Sequence, residues 1–479
     1  MEEKGNNQLY RVSVNGVAVN PEKIRVSAMP FNRTWPGKQR DISQSEIAYM
    51  LRLYGDMPLN IEVLCDNDFK EAVVRPLSKN IRVDKLDKGI KFEIKNHGFY
   101  SVELDGEHHA IHLFYEQERD FFEYGEATHY FGAGEHYPGL IKVKNGDRIY
   151  IDKDAVVHGS IFGIDVSDVK IYGYGILDAG WEERKEKHGD IGWDNENEFL
   201  KDSIHTYGGI RFYRASDIVI DGVTVCDPAS YAISFFATKN IEIQNTKVVG
   251  LWKYNNDGID FFNCSDVMLK NSFIRSFDDS ICVKGITAFS EMSSENILVE
   301  NCVLWCNWGL TCEIGVATAC REIKNITFRN CDLIHNANCC LSINNGQWAH
   351  IHHITYENIN IEYSKHSMES VTQKSEEQEY IKPDRINIPY AARVIDYRRN
   401  WLGNKSEDDP RCKNSNILFK NINLFIDEEI DKIPEIYIKR FMECSDFYDI
   451  SIECISINGK QITDLCCFGN DIDEVVNLS

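Results

Sequence analysis

From about residue 160 onward, the chain returns to one short pattern: apolar residues alternating with polar ones, then Asn or Gly, then apolar residues again. It occurs as VKIYG, IVIDG, IEIQN, VMLKN, ILVEN, ITFRN, ITYEN and ILFKN, ending at Gly173, Gly222, Asn245, Asn271, Asn301, Asn330, Asn358 and Asn421. Between Gly222 and Asn358 the steps are 23, 26, 30, 29 and 28 residues. A period of that length, made of short β-branched runs with no helical stretch between them, predicts a solenoid of parallel strands. Each coil would pair with the next at about 4.8 Å, and the closing Asn or Gly suits a bend and extends a side-chain ladder. Sandwich strands recur at roughly 8 to 12 residues and no propeller-blade signature is visible, so an all-β parallel β-helix is predicted.

Residues 1 to about 130 alternate differently. LYRVSVNGVAVN, LNIEVLCD and GIKFEIKNHGFYSVELDG place apolar and polar residues in turn around NG, HG and DG turns, as antiparallel hairpins do. The chain is therefore divided into a small N-terminal β-sandwich (1–130) and a β-helix domain (131–479). Charge and prolines break the period at about 365–412, which reads as an insertion, either a solvated loop or a flap over a site.

A second strand of each coil aligns on its first inward residue at Ile210, Ile233, Ile259, Ile281, Leu310 and Leu341. Two places earlier stand Tyr231, Asp257, Asp279 and Trp308, and three places earlier Asn256, Asp278 and Asn307. One and three places later come Asp260 and then Lys284 and Glu313, on the outward face because strand side chains alternate. Carboxylates from WKYNNDGIDFF and SFDDSICVK thus converge on one surface patch. Like charges so close raise the pKa of at least one carboxyl. A protonated carboxyl beside an ionised one is what glycosidic cleavage needs: an acid for the leaving oxygen and a base for water. The same residues also suit a Ca²⁺ site or simple bend positions, and Asp260 suits a role in orienting its neighbours.

Composition narrows the partners. A net charge of −23 offers no basic footprint, so nucleic acid and anionic membrane are not expected partners and a neutral substrate is favoured over a polyanion. The start MEEKGNNQLY has no signal-peptide pattern, no apolar run is long enough for a transmembrane helix, and the 16 cysteines show no zinc-type spacing. A cytoplasmic, reducing location follows as an expectation, with a secreted protein whose leader has been removed as the alternative. His350 and His352 share a strand face in QWAHIHHI, but no matching Asp, Glu or Cys is identifiable, so no metal is expected there. Trp193, Trp308, Trp348 and Tyr231 are candidates for an aromatic platform under sugars.

NNDGID followed by the adjacent Asp278 and Asp279 resembles the N-T-D-G-x-D … D-D signature of glycoside hydrolase family 28, the polygalacturonases and their relatives. It is also similar to the family 49 dextranases and isopullulanase. The resemblance implies a right-handed parallel β-helix and inverting hydrolysis without a cofactor. It implies Asp278 as the general acid, with Asp257 and Asp279 holding and activating water; Asn256, Asp260, Lys284, Trp308, Glu313 and Tyr231 are the expected substrate-binding residues. Two departures bear on the substrate: Asn307–Gly309 stands where polygalacturonases carry Gly-His-Gly, and Ser342 and Asn344 where they carry the Arg-x-Lys that binds the substrate carboxylate. A carbohydrate substrate of neutral, α-linked, α-glucan type is therefore expected, cleaved from a chain end if the 365–412 stretch walls off the groove. A pectin-type hydrolase, a polysaccharide lyase of the same solenoid and a non-catalytic glycan-binding adhesin are the rival readings.

Overall fold

The computed structural model describes residues 9–28, 32–33, 42–56, 58–183, 206–369, 372–373, 385–397, 412–442, 445–469 and 476–478. The repeat folds as the pattern requires. One continuous sheet of 29 strands winds from His129–Phe131 to Val476–Leu478, each coil pairing in parallel with the next. Three strands make a full coil. One face runs through Ile210–Tyr213, Ile233–Phe236, Ile259–Phe262, Ile281–Gly285, Leu310–Thr318 and Cys339–Asn345. A second runs through Ser216–Asp221, Lys239–Gln244, Ser265–Lys270, Ser294–Glu300 and Glu322–Arg329, and a third through Thr224–Cys226, Lys247–Val248, Phe273–Ser276, Val303–Cys306 and Asp332–His335.

The recurrent Asn is the hinge between the second and third faces. Asn245, Asn271, Asn301, Asn330, Asn358 and Asn421 all adopt left-handed backbone with φ of 47–55°, a conformation Asn tolerates better than most residues. Their amides stack coil on coil: Asn358 donates to Asn330 at 3.0 Å and Asn421 to Asn358 at 2.9 Å. Inside, like sits on like. Phe212, Phe235 and Phe261 are stacked at 5.9 and 5.7 Å, and Phe328, Tyr356 and Phe419 at 5.2 Å each. Such ladders fill the solenoid with apolar side chains and leave its ends as the open edges.

Residues 10–116 form two five-stranded sheets packed face to face. Their shared core includes Tyr49, Leu51, Ile61, Val63, Phe92, Tyr100 and Leu113. Pairings are antiparallel except that Ile111–Glu116 runs parallel to Ser45–Tyr54, which the hairpin pattern does not reveal. The sheet containing those two strands is buried on both sides, because its other face carries Ala48, Met50, Phe99 and Phe114 onto Phe273, Val303, Trp305 and Ile334 of the third face of the solenoid. The sandwich therefore lies against the side of the β-helix.

Polar groups pin this contact. Arg75 donates to Glu103 at 2.9 Å and to Glu362, while His335 pairs with the other oxygen of Glu103 at 2.7 Å. Burial pushes Glu103 up, but Arg75 and His335 outweigh it and hold the carboxyl at about 2. Glu362, for which burial dominates, is pushed up to about 7.

The stretch 365–412 is not one insertion. Tyr390–Ile395 is a regular strand of the first face, pairing with Cys339–Asn344 on one side and Ile436–Lys439 on the other. Its inward Ala392 and Val394 are too short a signal to stand out from the charged residues around them. Residues 370–371, 374–384 and 398–411 of this stretch lie outside the described residues, as does Trp193.

Replacing Arg75 with Met leaves Glu103 and Glu362 buried without their shared cation. The expected loss of unfolding free energy at neutral pH is about 3–5 kcal/mol. Urea denaturation measures it, and a loss within about 1 kcal/mol, as for an exposed pair, contradicts this view of the interface.

Candidate active site

The first face brings the two acidic stretches together. Ile259 pairs with Ile281, so Asp257 and Asp279 fall on neighbouring coils, and the Gly258 amide donates to the Asp279 carbonyl at 2.8 Å. Gly258 and Gly309 are required by the close approach: a Cβ on Gly258 would lie 2.4 Å from the Ser280 carbonyl oxygen, and one on Gly309 only 2.5 Å from the Asp278–Asp279 backbone.

At the centre lies the ammonium of Lys284. Its Nζ is 3.2 Å from Asp257 Oδ2, 3.0 Å from Asp260 Oδ1 and 3.7 Å from Asp279 Oδ2. The rings of Tyr231 and Phe262 lie 5.7 and 5.3 Å from it. Burial alone would lower its pKa; Asp260 and its neighbours reverse this and push it well above normal. Asp279 also accepts from the Leu310 amide at 2.9 Å and the Cys282 thiol at 3.0 Å. Asp278 is the cluster member without a Lys284 contact, and burial together with the adjacent Asp279 pushes its carboxyl well above the usual range. Asp257 is raised well above it too, by burial and then by Asp260, and Asp260 is raised by burial against the pull of Lys284.

Several expected positions differ. The patch is not an open surface: Asp257, Asp260, Lys284 and Glu313 are all buried, because Tyr231, Phe236, Phe262, Ile286 and Phe289 pack around them on the outer side of the strands. Asn256 is fully buried and spends its amide on the turn, accepting from the Trp252 and Lys253 amides at 3.0 and 2.8 Å and donating to the Pro228 and Ser230 carbonyls at 2.9 and 2.8 Å. It orders the acidic loop and has no group left to meet a sugar.

The register beyond Ile281 is also shifted. Ile281 pairs with Cys312 and Cys282 with Glu313, so the inward anchor is Cys312 instead of Leu310, and Glu313 continues the Asp260–Cys282 column instead of following Lys284. Trp308 consequently leaves the Tyr231–Asp257–Asp279 column. It is half-buried and stacks on Phe277 at 5.3 Å, beside the acidic pair.

The column runs Arg211, Ser234, Asp260, Cys282, Glu313, Ser342, Arg393, Tyr437. Arg393 and Arg211 are its cations, and neither emerges from the sequence pattern. Arg211 is satisfied by Ser234 Oγ at 2.9 Å and the Thr206 carbonyl at 2.7 Å. Arg393 donates to Ser342 Oγ at 3.2 Å, but among the described residues its Nε has no hydrogen-bond partner. Both oxygens of Glu313, Asp257 Oδ1, Asp260 Oδ2 and both polar atoms of Asn344 are likewise buried without partners. Burial pushes Glu313 up to about 7, against the pull of Arg393. Unpaired buried polar atoms in one place mark where a polar ligand or water is accommodated.

A sequence profile described as "Glycosyl hydrolases family 28" matches residues 141–388. The chain belongs to that family. Among relatives, the family 28 chain is 30% identical over 134 residues to "Probable rhamnogalacturonase A" of Aspergillus oryzae, covering 28% of this chain and 27% of that protein. It is 24% identical over 245 residues to a "Dextranase" of Arthrobacter sp., covering 46% of this chain and 34% of that protein. Neither alignment reaches half of the relative's own length. In structure the chain is similar to "Dex49A from Penicillium minioluteum", with a TM-score of 0.53, 13% identity and coverage of 98% of this chain and 93% of that one. That likeness includes the sandwich and carries the fold, a right-handed parallel β-helix with an N-terminal β-sandwich.

Lys284 is expected to hold the cluster together. In Lys284→Met the buried carboxyls lose their cation, and stability at neutral pH should fall by about 3–5 kcal/mol. Removing the cation raises their folded pKa values further above the unfolded ones. The folded state then binds more protons than the unfolded state, and stability falls as pH rises. The deficit should therefore shrink between pH 7 and pH 5. A deficit that is constant or grows on acidification, followed by thermal unfolding, contradicts this electrostatic account.

Proposed function

We propose that the protein is an inverting glycoside hydrolase. The observation that carries the reading is the position of Lys284: its ammonium contacts Asp257, Asp260 and Asp279 but not Asp278, whose carboxyl burial and the adjacent Asp279 push well above the usual range against the weaker pull of Lys284, leaving Asp278 the acid best placed to keep its proton. Asp278 donates its proton to the glycosidic oxygen as the bond to the anomeric carbon breaks. Water attacks that carbon from the opposite side; Asp279 takes its proton while Asp257 positions it. The product is a hemiacetal of inverted configuration.

The substrate we favour is a neutral, α-linked glycan. Five carboxyls, from Asp257, Asp260, Asp278, Asp279 and Glu313, gather on this face against two cations, Lys284 and Arg393, a poor environment for a sugar acid. A similarity to a dextranase supports the same reading. One observation favours a second reading, a pectin-type substrate: Arg393 presents an unpartnered Nε one rung beyond Ser342, where its guanidinium could meet a carboxylate.

Asp278→Asn should lower turnover by at least about 10²-fold while the folded state persists. Because the acid must be protonated, and its pKa is raised, activity of the wild type should hold through the ordinary carboxylate range and fall on the alkaline side; this limb should vanish in the residual activity of Asp278→Asn. Near-normal turnover by a folded Asp278→Asn would remove it from the mechanism. Product analysis on α-gluco-oligosaccharides beside galacturonan and rhamnogalacturonan oligosaccharides separates the substrates. Cleavage confined to the uronic set and abolished in Arg393→Ala would favour the second reading.

A further inference from the structure

The solenoid stacks QWAHIHHI on Glu322–Arg329, and this supplies the carboxylate that the sequence does not reveal. Glu322 pairs with His350, and Lys324 with His352, on adjacent coils of the second face. One ring nitrogen of each histidine and one oxygen of Glu322 lie within 4.8 Å of one another. The two imidazoles lie with centroids 4.2 Å apart, their planes tilted by 34°. This group belongs to a different face from the acidic cluster and has no part in the proposed hydrolysis.

The surrounding partners leave the right atoms free. Lys324 takes Glu322 Oε2 at 2.6 Å and is also held by Glu295 at 3.3 Å, so Oε1 is the oxygen that faces His352 Nε2, at 3.5 Å. His352 Nδ1 is occupied by His353 Nδ1 at 2.6 Å, and His350 Nε2 by Ser415 Oγ at 2.9 Å. His352 Nε2 is itself buried with no hydrogen-bond partner. A buried ring nitrogen aimed at a carboxylate oxygen at 3.5 Å, the far limit of a hydrogen bond, leaves a gap that a third, shared partner would close.

We propose that Glu322, His350 and His352 form a binding site for a divalent transition metal of the Zn²⁺ class, linking two successive coils. Two imidazoles and a carboxylate are a common donor set for Zn²⁺, with bonds of about 2.0–2.2 Å and ligand atoms roughly 3.3 Å apart in a tetrahedron. Small side-chain rotations close the present triangle to that size, and water completes the fourth position. Ser415 on His350 and Lys324 on Glu322 are outer partners of the kind that orient metal ligands.

The test uses the full chain, stripped with chelator, desalted and titrated with Zn²⁺ and separately with Co²⁺. The wild type should bind one equivalent that is absent or at least about tenfold weaker in both Glu322→Gln and His352→Ala, with Co²⁺ giving the visible absorption of a tetrahedral nitrogen and oxygen site. Zn²⁺ should raise the wild-type unfolding temperature more than that of either variant. Cys454, Cys466 and Cys467 are exposed thiols that also bind such metals, so the titration is repeated after alkylation. Binding that survives alkylation and is lost in the variants supports the site. Binding equal in wild type and variants, binding abolished by alkylation alone, or no binding would overturn it.

Discussion

The in-register pairing of each coil on the next is the constraint from which the rest of this structure follows. It sets position on position at about 4.8 Å whatever the residues are. For Ile, Phe and Asn this is favourable, because identical apolar side chains pack and identical amides bond in a ladder. For carboxylates it is a liability, since Asp257 and Asp279 are forced onto neighbouring rungs with Asp260 and Asp278 beside them. Lys284 resolves the conflict by placing one ammonium among three carboxylates. A cation of that reach cannot neutralise all four, and the remainder is the chemistry: at least one carboxyl retains its proton.

The sandwich contributes to the site at one remove. It packs on the third face, where Phe273–Ser276 is the strand that leads directly into Asp278. Arg275 of that strand is buried against Trp305, at 3.9 Å from the ring, and meets His112 of the sandwich at 3.1 Å. One residue on, Ser276 donates to the Asp278 carbonyl at 2.7 Å. The backbone carrying the acid is thus braced from behind by a second domain.

Much of this was legible in the sequence, for a physical reason. Asn is among the few residues with a Cβ that accept left-handed backbone, so its recurrence marked each bend from Asn245 to Asn421, and alternation about Ile259 and Ile281 placed the acidic residues correctly. Alternation failed at Leu310 because a slip of two residues keeps every side chain on its own face; LTCEI is apolar at Leu310 and Cys312 alike, and only the pairing chooses Cys312. Alternation also distinguishes inward from outward but not exposed from covered, so the burial of Asp260 and Glu313 was invisible, as was the full internal engagement of Asn256. Arg393 and Glu322 were missed for a common reason: each acquires its neighbours across coils, in Arg393's case from within a charged stretch that hides a six-residue strand.

The central claim is that Asp278 holds its proton well above the ordinary carboxylate range, in a cluster that the single charge of Lys284 cannot fully balance. Infrared difference spectroscopy between the wild type and Asp278→Asn, with ¹³C-labelled aspartate to identify the bands, tests this without any substrate. The account predicts that at pH 7 the variant loses the C=O band of a protonated carboxyl. Loss of an ionised carboxylate band alone, persisting down into the ordinary range of aspartate titration, would contradict it.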